Sequence, residues 1–215
     1  MHAAAEALLV LILLQNLLFL GSGRLRTLIH AVAAQGVVLS VLPLLLYGGL
    51  GVREAVVSIG ALLLKGAIIP RMLMRALADL PIRREMEPII GFKTSLLLGA
   101  AATAGSIYLA TQLPLTSIAG GSERMAVATS FATVLTGFLL LTTRRKALTQ
   151  VLGYLVLENG IYIFGVLLLE STKFLVEFGV LLDLFVAIFV MGIIINHISR
   201  AFTSISTEQL STLRD

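Results

Sequence analysis

Three ionisable side chains stand where the sequence around them is almost wholly apolar: Lys65 in ALLLKGAII, Glu158 in GYLVLENGIYIFG and Asp183 in VEFGVLLDLFVAIF. Acids and amines are the side chains that take up and release protons. Burial favours their neutral forms and mutual attraction favours their charged forms, so groups held between those pulls exchange protons near neutral pH. Such residues are expensive where there is no water: on insertion scales, a charge at mid-bilayer costs at least ~2.5–3.5 kcal/mol. Three of them in one short chain call for a reason, and the first candidate is a relay that stops a proton at mid-depth.

The elements that must position these groups follow from composition. Apolar residues make up 58% of the 215 and charged residues only 13%, against roughly 45–50% and 25% in soluble domains. Mean hydropathy is +1.00. This is an all-α integral membrane protein, a single bundle. A spanning helix needs about 20 apolar residues, and seven segments qualify: roughly 4–20, 28–48, 52–74, 89–111, 124–142, 147–169 and 174–198, followed by a tail over 199–215. The N-terminal run has no basic region and is longer than the ~7–15-residue core of a secretory signal, so it reads as a retained first helix. With no cysteine in the chain, disulfides and thiolate-bound metals are excluded. His2, His30 and His197 are too scattered along the chain to suggest a metal site.

Lysine and arginine give the orientation. With the loops after spans one, three and five on the same side as the C-terminus, twelve basic residues collect there, including Arg24, Arg83, Arg84, Arg144, Arg145 and Lys146. The opposite side receives three, Arg53, Arg124 and Lys173. That asymmetry predicts an N-terminus outside and a C-terminus in the cytoplasm. The net charge of +4 therefore reports topology and not nucleic-acid binding. Six spans remain an alternative if one early segment is re-entrant.

Helical spacing adds supporting groups. Gln150, Tyr154, Glu158 and Tyr162 recur every four residues as one polar stripe, with Asn159 beside it. At about 100° per residue, Glu54 and Ser58 fall within about 20° of the face of Lys65. Both stripes must face protein, because lipid cannot satisfy them. Pro70 is placed to kink the third span, and Gly153, Gly160 and Gly165 suit close helix approach in the sixth. Gln15 and Asn16 in the first span are expected to form interhelical hydrogen bonds. His30 and His197 lie near inner span ends, where interfacial solvation accounts for them better than function does; Glu177 is close to the outer end of the last span, where a snorkelling carboxylate and a functional one are equally acceptable. A buried Glu–Lys pair can also be purely structural, fixing helix register, but three midplane ionisable residues in one small bundle favour function. An internal repeat aligns Ala34-Gln35-Gly36 with Glu158-Asn159-Gly160 at an offset of 124, and GAIIPRM from Gly66 with GIIINHI from Gly192 at 126.

At these residues the sequence resembles a known family. GYLVLENG followed by VEFGVLLDLFVAIFVMGI is similar to component E of hydrogenase-4, a membrane subunit of group 4 hydrogenase and formate hydrogenlyase-type complexes. LLKGAIIPRM and the tail ISTEQLSTLRD extend the likeness over most of the chain. Residues 147–198 resemble the K-type subunit of respiratory complex I and the C-type subunit of multisubunit cation/proton antiporters. In those relatives, two midmembrane carboxylates on adjacent helices carry protons along a lateral hydrophilic axis. Glu158 matches the first. The second falls on Asp183 or Glu177, and here the midplane acid is an aspartate where the K-type subunit has a glutamate.

The resemblance implies a subunit without catalytic, metal or cofactor site of its own, in the prokaryotic cytoplasmic membrane. It would belong to a hetero-oligomeric oxidoreductase complex with large antiporter-like subunits, an anchoring membrane subunit and a peripheral hydrogenase-like arm holding iron–sulfur and nickel–iron centres. Glu158 would be the principal proton or cation relay, tuned by Asp183 and Lys65, with Glu177 as entry or exit group. The alternatives are a stand-alone small transporter or an inert scaffold of the same complex.

Overall fold

Every long apolar run in the described part of the chain forms a helix. The computed structural model of the protein describes residues 2–47, 52–78, 89–113, 122–144 and 146–167. The predicted seventh span and tail, with Glu177, Asp183 and His197, lie outside the described residues, as do Arg83, Arg84, Glu85, Glu87 and the side chain of Glu54. In chain order come α1 (His2–Gly21), α2 (Leu25–Tyr47), α3 (Val52–Ala61), a π-helical segment (Leu62–Ile68), α4 (Ile69–Ala78), α5 (Phe92–Gln112), α6 (Ser122–Thr143) and α7 (Ala147–Leu167). Five of these, α1, α2, α5, α6 and α7, are long and apolar enough to cross a membrane, and each coincides with a predicted span to within about three residues.

The predicted third span, 52–74, differs. It is a helical rod in three parts, with the π segment at its centre and Lys65 in the middle of that segment. The Ile69 amide donates to the Leu64 carbonyl, one residue further back than in an α-helix. Pro70, which has no amide to donate, follows directly. The expected disturbance therefore takes the form of a widened turn on the N-terminal side of the proline.

Packing places four helices at the centre. α1 lies against α2 and α6, α7 against α6 and α2, α5 covers α1 and α6, and the α3–π–α4 rod covers α2. The α6–α7 contact is the most extensive because glycines let the backbones meet: a Cβ on Gly153 would come 2.8 Å from the Leu141 amide nitrogen, and one on Gly160 would come 2.6 Å from that of Val134. Helices without a hydrophobic drive in lipid gain most from such close contact. Hydroxyl side chains such as Thr103, Ser106 and Thr143 donate to carbonyls one turn back in their own helices, which satisfies them where no water is available.

The buried apolar residues form two principal groups, separated along the bundle. One contains Phe19, Leu28, Val32, Leu73, Leu140 and Leu152; the other contains Leu9, Ile12, Leu39, Leu42, Ala126 and Ile163. Buried polar residues lie between these groups on four helices, Asn16 on α1, Gln35 on α2, Thr133 on α6, and Glu158 and Asn159 on α7, and Lys65 of the rod joins them. The bundle is thus two apolar layers with a polar layer between them.

The offset of 124 can be compared with the helix pairing. α1 corresponds to α6 and α2 to α7, and each helix packs on its counterpart. Two hydrogen bonds join residues 124 positions apart, Asn159 to Gln35 and Arg144 to the Leu20 carbonyl.

Candidate functional site

The site is built where the rod crosses α2 and meets α7. Gly36 makes the crossing possible, since a Cβ there would lie 2.7 Å from the Lys65 Cβ and 3.0 Å from its carbonyl carbon. With the backbone that close, the lysine side chain reaches past α2 to α7. Its Nζ lies 2.5 Å from Glu158 Oε1, an ion pair with both partners buried. The same ammonium donates to Asn159 Oδ1 at 3.2 Å and sits 5.1 Å from the centre of the Tyr162 ring. A buried pair is held by geometry and by satisfaction of the remaining hydrogen-bonding capacity. The second acceptor and the ring face supply part of that here.

From Asn159 the polar contacts continue across the bundle. Its Nδ2 donates to Gln35 Oε1 at 2.9 Å, and Gln35 Nε2 donates to Asn16 Oδ1 at 3.1 Å. Asn16 Nδ2 then donates to Thr133 Oγ1 at 2.8 Å, and that hydroxyl donates to the Thr129 carbonyl at 2.7 Å. Five hydrogen bonds therefore lead from Lys65 through α7, α2 and α1 to α6.

The structure sorts the predicted residues. Lys65, Glu158, Asn159 and Tyr162 come together. Tyr154 is half-buried against the larger apolar group, one turn before Glu158. Gln150, at the exposed start of the same stripe, donates instead to the Arg144 carbonyl at 3.2 Å. Ser58 is buried on the rod, and its Oγ has no hydrogen-bond partner. His30 is exposed, and its hydrogen bond, Nδ1 to the Arg26 carbonyl at 2.7 Å, stays within its own helix. Asn16 makes the interhelical bonds expected of it, whereas Gln15 Oε1 is buried without a partner. Among the described residues, no three His, Asp or Glu side chains gather as a metal site would require.

Gln35, Thr133 and Arg144 were not singled out as site residues. Gln35 carried a signal, its alignment with Asn159 in the repeat. Thr133 carried none, because one threonine in an apolar helix usually bonds its own backbone. Arg144, at the end of α6, was read as a loop charge. It is instead fully buried, donating from Nη2 to the Leu20 carbonyl at 2.9 Å and lying 5.0 Å from the centre of the Phe92 ring. Burial pushes its guanidinium below its ordinary pKa.

Five apolar helices of spanning length around a buried polar layer define a polytopic α-helical membrane protein. The chain belongs to the same family as the uncharacterized protein Rv0085 of Mycobacterium tuberculosis, with 32% identity over 210 residues, covering 95% of this chain and 93% of that protein. It is also a distant homologue of hydrogenase-4 component E from Escherichia coli K12 and from Shigella flexneri, 26% identical to each over 157 residues, 73% of this chain and 72% of theirs. No family profile and no solved structure matches it.

Proposed function

We propose that this chain is a membrane-arm subunit of a multisubunit, hydrogenase-like oxidoreductase complex related to complex I, and that its buried charges take part in moving protons or cations as electrons flow through partner chains. The observation that carries this reading is the Lys65–Glu158 pair, held at mid-depth between two apolar layers. The distant homology to hydrogenase-4 component E supplies the setting. An acid and an amine in contact exchange a proton without water, and a neighbouring chain with an acid at the same depth can take it onward. Glu158 is the relay, Lys65 its partner, and Asp183 or Glu177 the second acid, in the part of the chain similar to the K-type subunit. The distribution of basic residues supports an N-terminus outside and a C-terminus in the cytoplasm. Iron–sulfur and nickel–iron centres belong to the peripheral arm, and large antiporter-like subunits and an anchoring subunit flank this one.

The test has two parts. Tagged protein purified in mild detergent from its native host should bring with it a hydrogenase-like arm and large antiporter-like subunits; a stable solitary protein would overturn the reading. In the recovered complex, Glu158→Gln keeps an oxygen that can accept from Lys65, so it should assemble yet lose ion movement coupled to turnover. Unaltered coupling in that variant would remove the relay role.

A further inference from the structure

The five hydrogen bonds running from Lys65 all point the same way. An ammonium has three donors and no acceptor, so it can meet Asn159 only at its oxygen. That turns the Asn159 amide nitrogen toward Gln35, which must then present its own oxygen. The same logic fixes Asn16, whose nitrogen donates to Thr133, and the threonine proton is left to the Thr129 carbonyl. Each carbonyl dipole in the chain has its negative end toward Lys65. Aligned hydrogen bonds of this kind polarise one another, and more strongly where the local dielectric is low.

The chain also has a second complete arrangement. If Nζ passes a proton to Glu158 Oε1, one N–H bond breaks and one O–H bond forms, leaving a neutral amine with a lone pair beside a neutral carboxylic acid. The Asn159 amide can then turn by half a revolution and donate to Nζ. Gln35 and Asn16 follow, each donating to the oxygen before it, and the Thr133 hydroxyl swings from the Thr129 carbonyl to Asn16 Oδ1. The link between the amides and Thr133 is kept, and no helix needs to move. Primary amides do not themselves carry the proton onward, so the chain is a switch and not a conduit.

We propose that Gln35, Asn16 and Thr133 are positioning residues for Lys65, forming through Asn159 a chain with two polarities, and that the proton on Lys65 selects between them. The inference rests on the relay reading of the Lys65–Glu158 pair. It gives α1 and α6 a way to register the state of the pair. The groups facing Lys65 include Glu158, Asn159 and Tyr162 from α7 and Gly36 from α2, with Ser58 on its own element.

The experiment is temperature-difference infrared spectroscopy of the full chain in lipid nanodiscs at fixed pH, since the transfer keeps its proton within the pair, with the Asn and Gln side chains isotope-labelled. The Glu158 carboxyl band is assigned by its loss in Glu158→Gln. The labelled amide bands are expected to change together with it, and to fall silent in Lys65→Met. Thr133→Val, close to isosteric, should lose the coupled amide signal while Glu158 still responds, and Thr133→Ser should restore it. A responding Glu158 with silent amides in the native chain would overturn the switch and leave the relay reading standing. A Glu158 that never responds would overturn both.

Discussion

The hairpins α1–α2 and α6–α7 hold matching places 124 residues apart, and both carry the same short pattern, Ala34-Gln35-Gly36 in one and Glu158-Asn159-Gly160 in the other. The middle residues bond to each other and the glycines both permit close approach, but to different neighbours. Gly160 admits the backbone of α6 within its own hairpin, whereas Gly36 admits Lys65 of the rod. The first residues differ most. Glu158 is buried under Lys65, while Ala34 is exposed. A mid-depth acid survives only where a base covers it, and here the base comes from the first half of the chain and the acid from the second. Neither hairpin builds the site alone.

Removing the base should do the most damage. Lys65→Met leaves Glu158 buried without its partner, for which about 3–5 kcal/mol is typical. Replacing both residues with apolar side chains of similar volume should recover most of that loss. Stability in mixed micelles, read by detergent-induced unfolding of the two variants, checks it. A double variant as unstable as the single one would mean that the pair is not held by charge.

Next in size comes an acid placed where the first hairpin lacks one. Ala34→Glu puts a carboxylate on an exposed mid-helix surface, at a cost of about 2.5–3.5 kcal/mol on insertion scales. Reduced accumulation of the variant in membranes is expected. Normal accumulation would place a polar partner surface against that face of α2.

A smaller effect should separate the crossing from ordinary helix packing. Gly36→Ala forces the Lys65 backbone away from α2, which overpacking data put at about 1–3 kcal/mol, and should weaken coupled turnover along with stability. Gly60→Ala is the control on the same rod: a Cβ there meets nothing within 4 Å, and alanine is about 1 kcal/mol better than glycine in a helix. Equal losses in the two variants would mean that the close crossing at Gly36 is not what sets the lysine.

Much of this architecture was legible in the sequence, because solvent and length constrain apolar helices so strongly. Five spans were placed within about a turn, and Lys65 and Glu158 announced themselves by the cost of putting charge there. The π segment was not legible. Pro70 marked a disturbance, but not its form, a widened turn with the lysine at its centre. Nor did periodicity separate Glu158 from Gln150. They share a stripe, yet one lies in the polar layer and the other at a helix end, a matter of depth and not of face. Thr133 was invisible for a different reason: a lone hydroxyl in a membrane helix acquires meaning only from its partner on another helix, and one chain read along its length does not name that partner.

Arg144 gives the smallest expected effect and tests the second contact that joins residues 124 positions apart. Its Nη2 bonds the Leu20 carbonyl and its guanidinium faces Phe92, but Nε and Nη1 are buried without hydrogen-bond partners. Arg144→Met would lose a hydrogen bond and a cation–π contact, together roughly 1–3 kcal/mol. It would also remove two unsatisfied donors whose burial is penalised by a similar amount. The two should nearly cancel, leaving the isolated chain within about 1 kcal/mol of its original stability, measured by the same unfolding assay. Arg144→Lys keeps the charge but not the planar group, so it should be the less stable of the two. If methionine instead costs far more than lysine, the two free nitrogens are satisfied in solution by an acceptor, and the end of the bundle at Leu20 and Arg144 is held by charge just as its middle is.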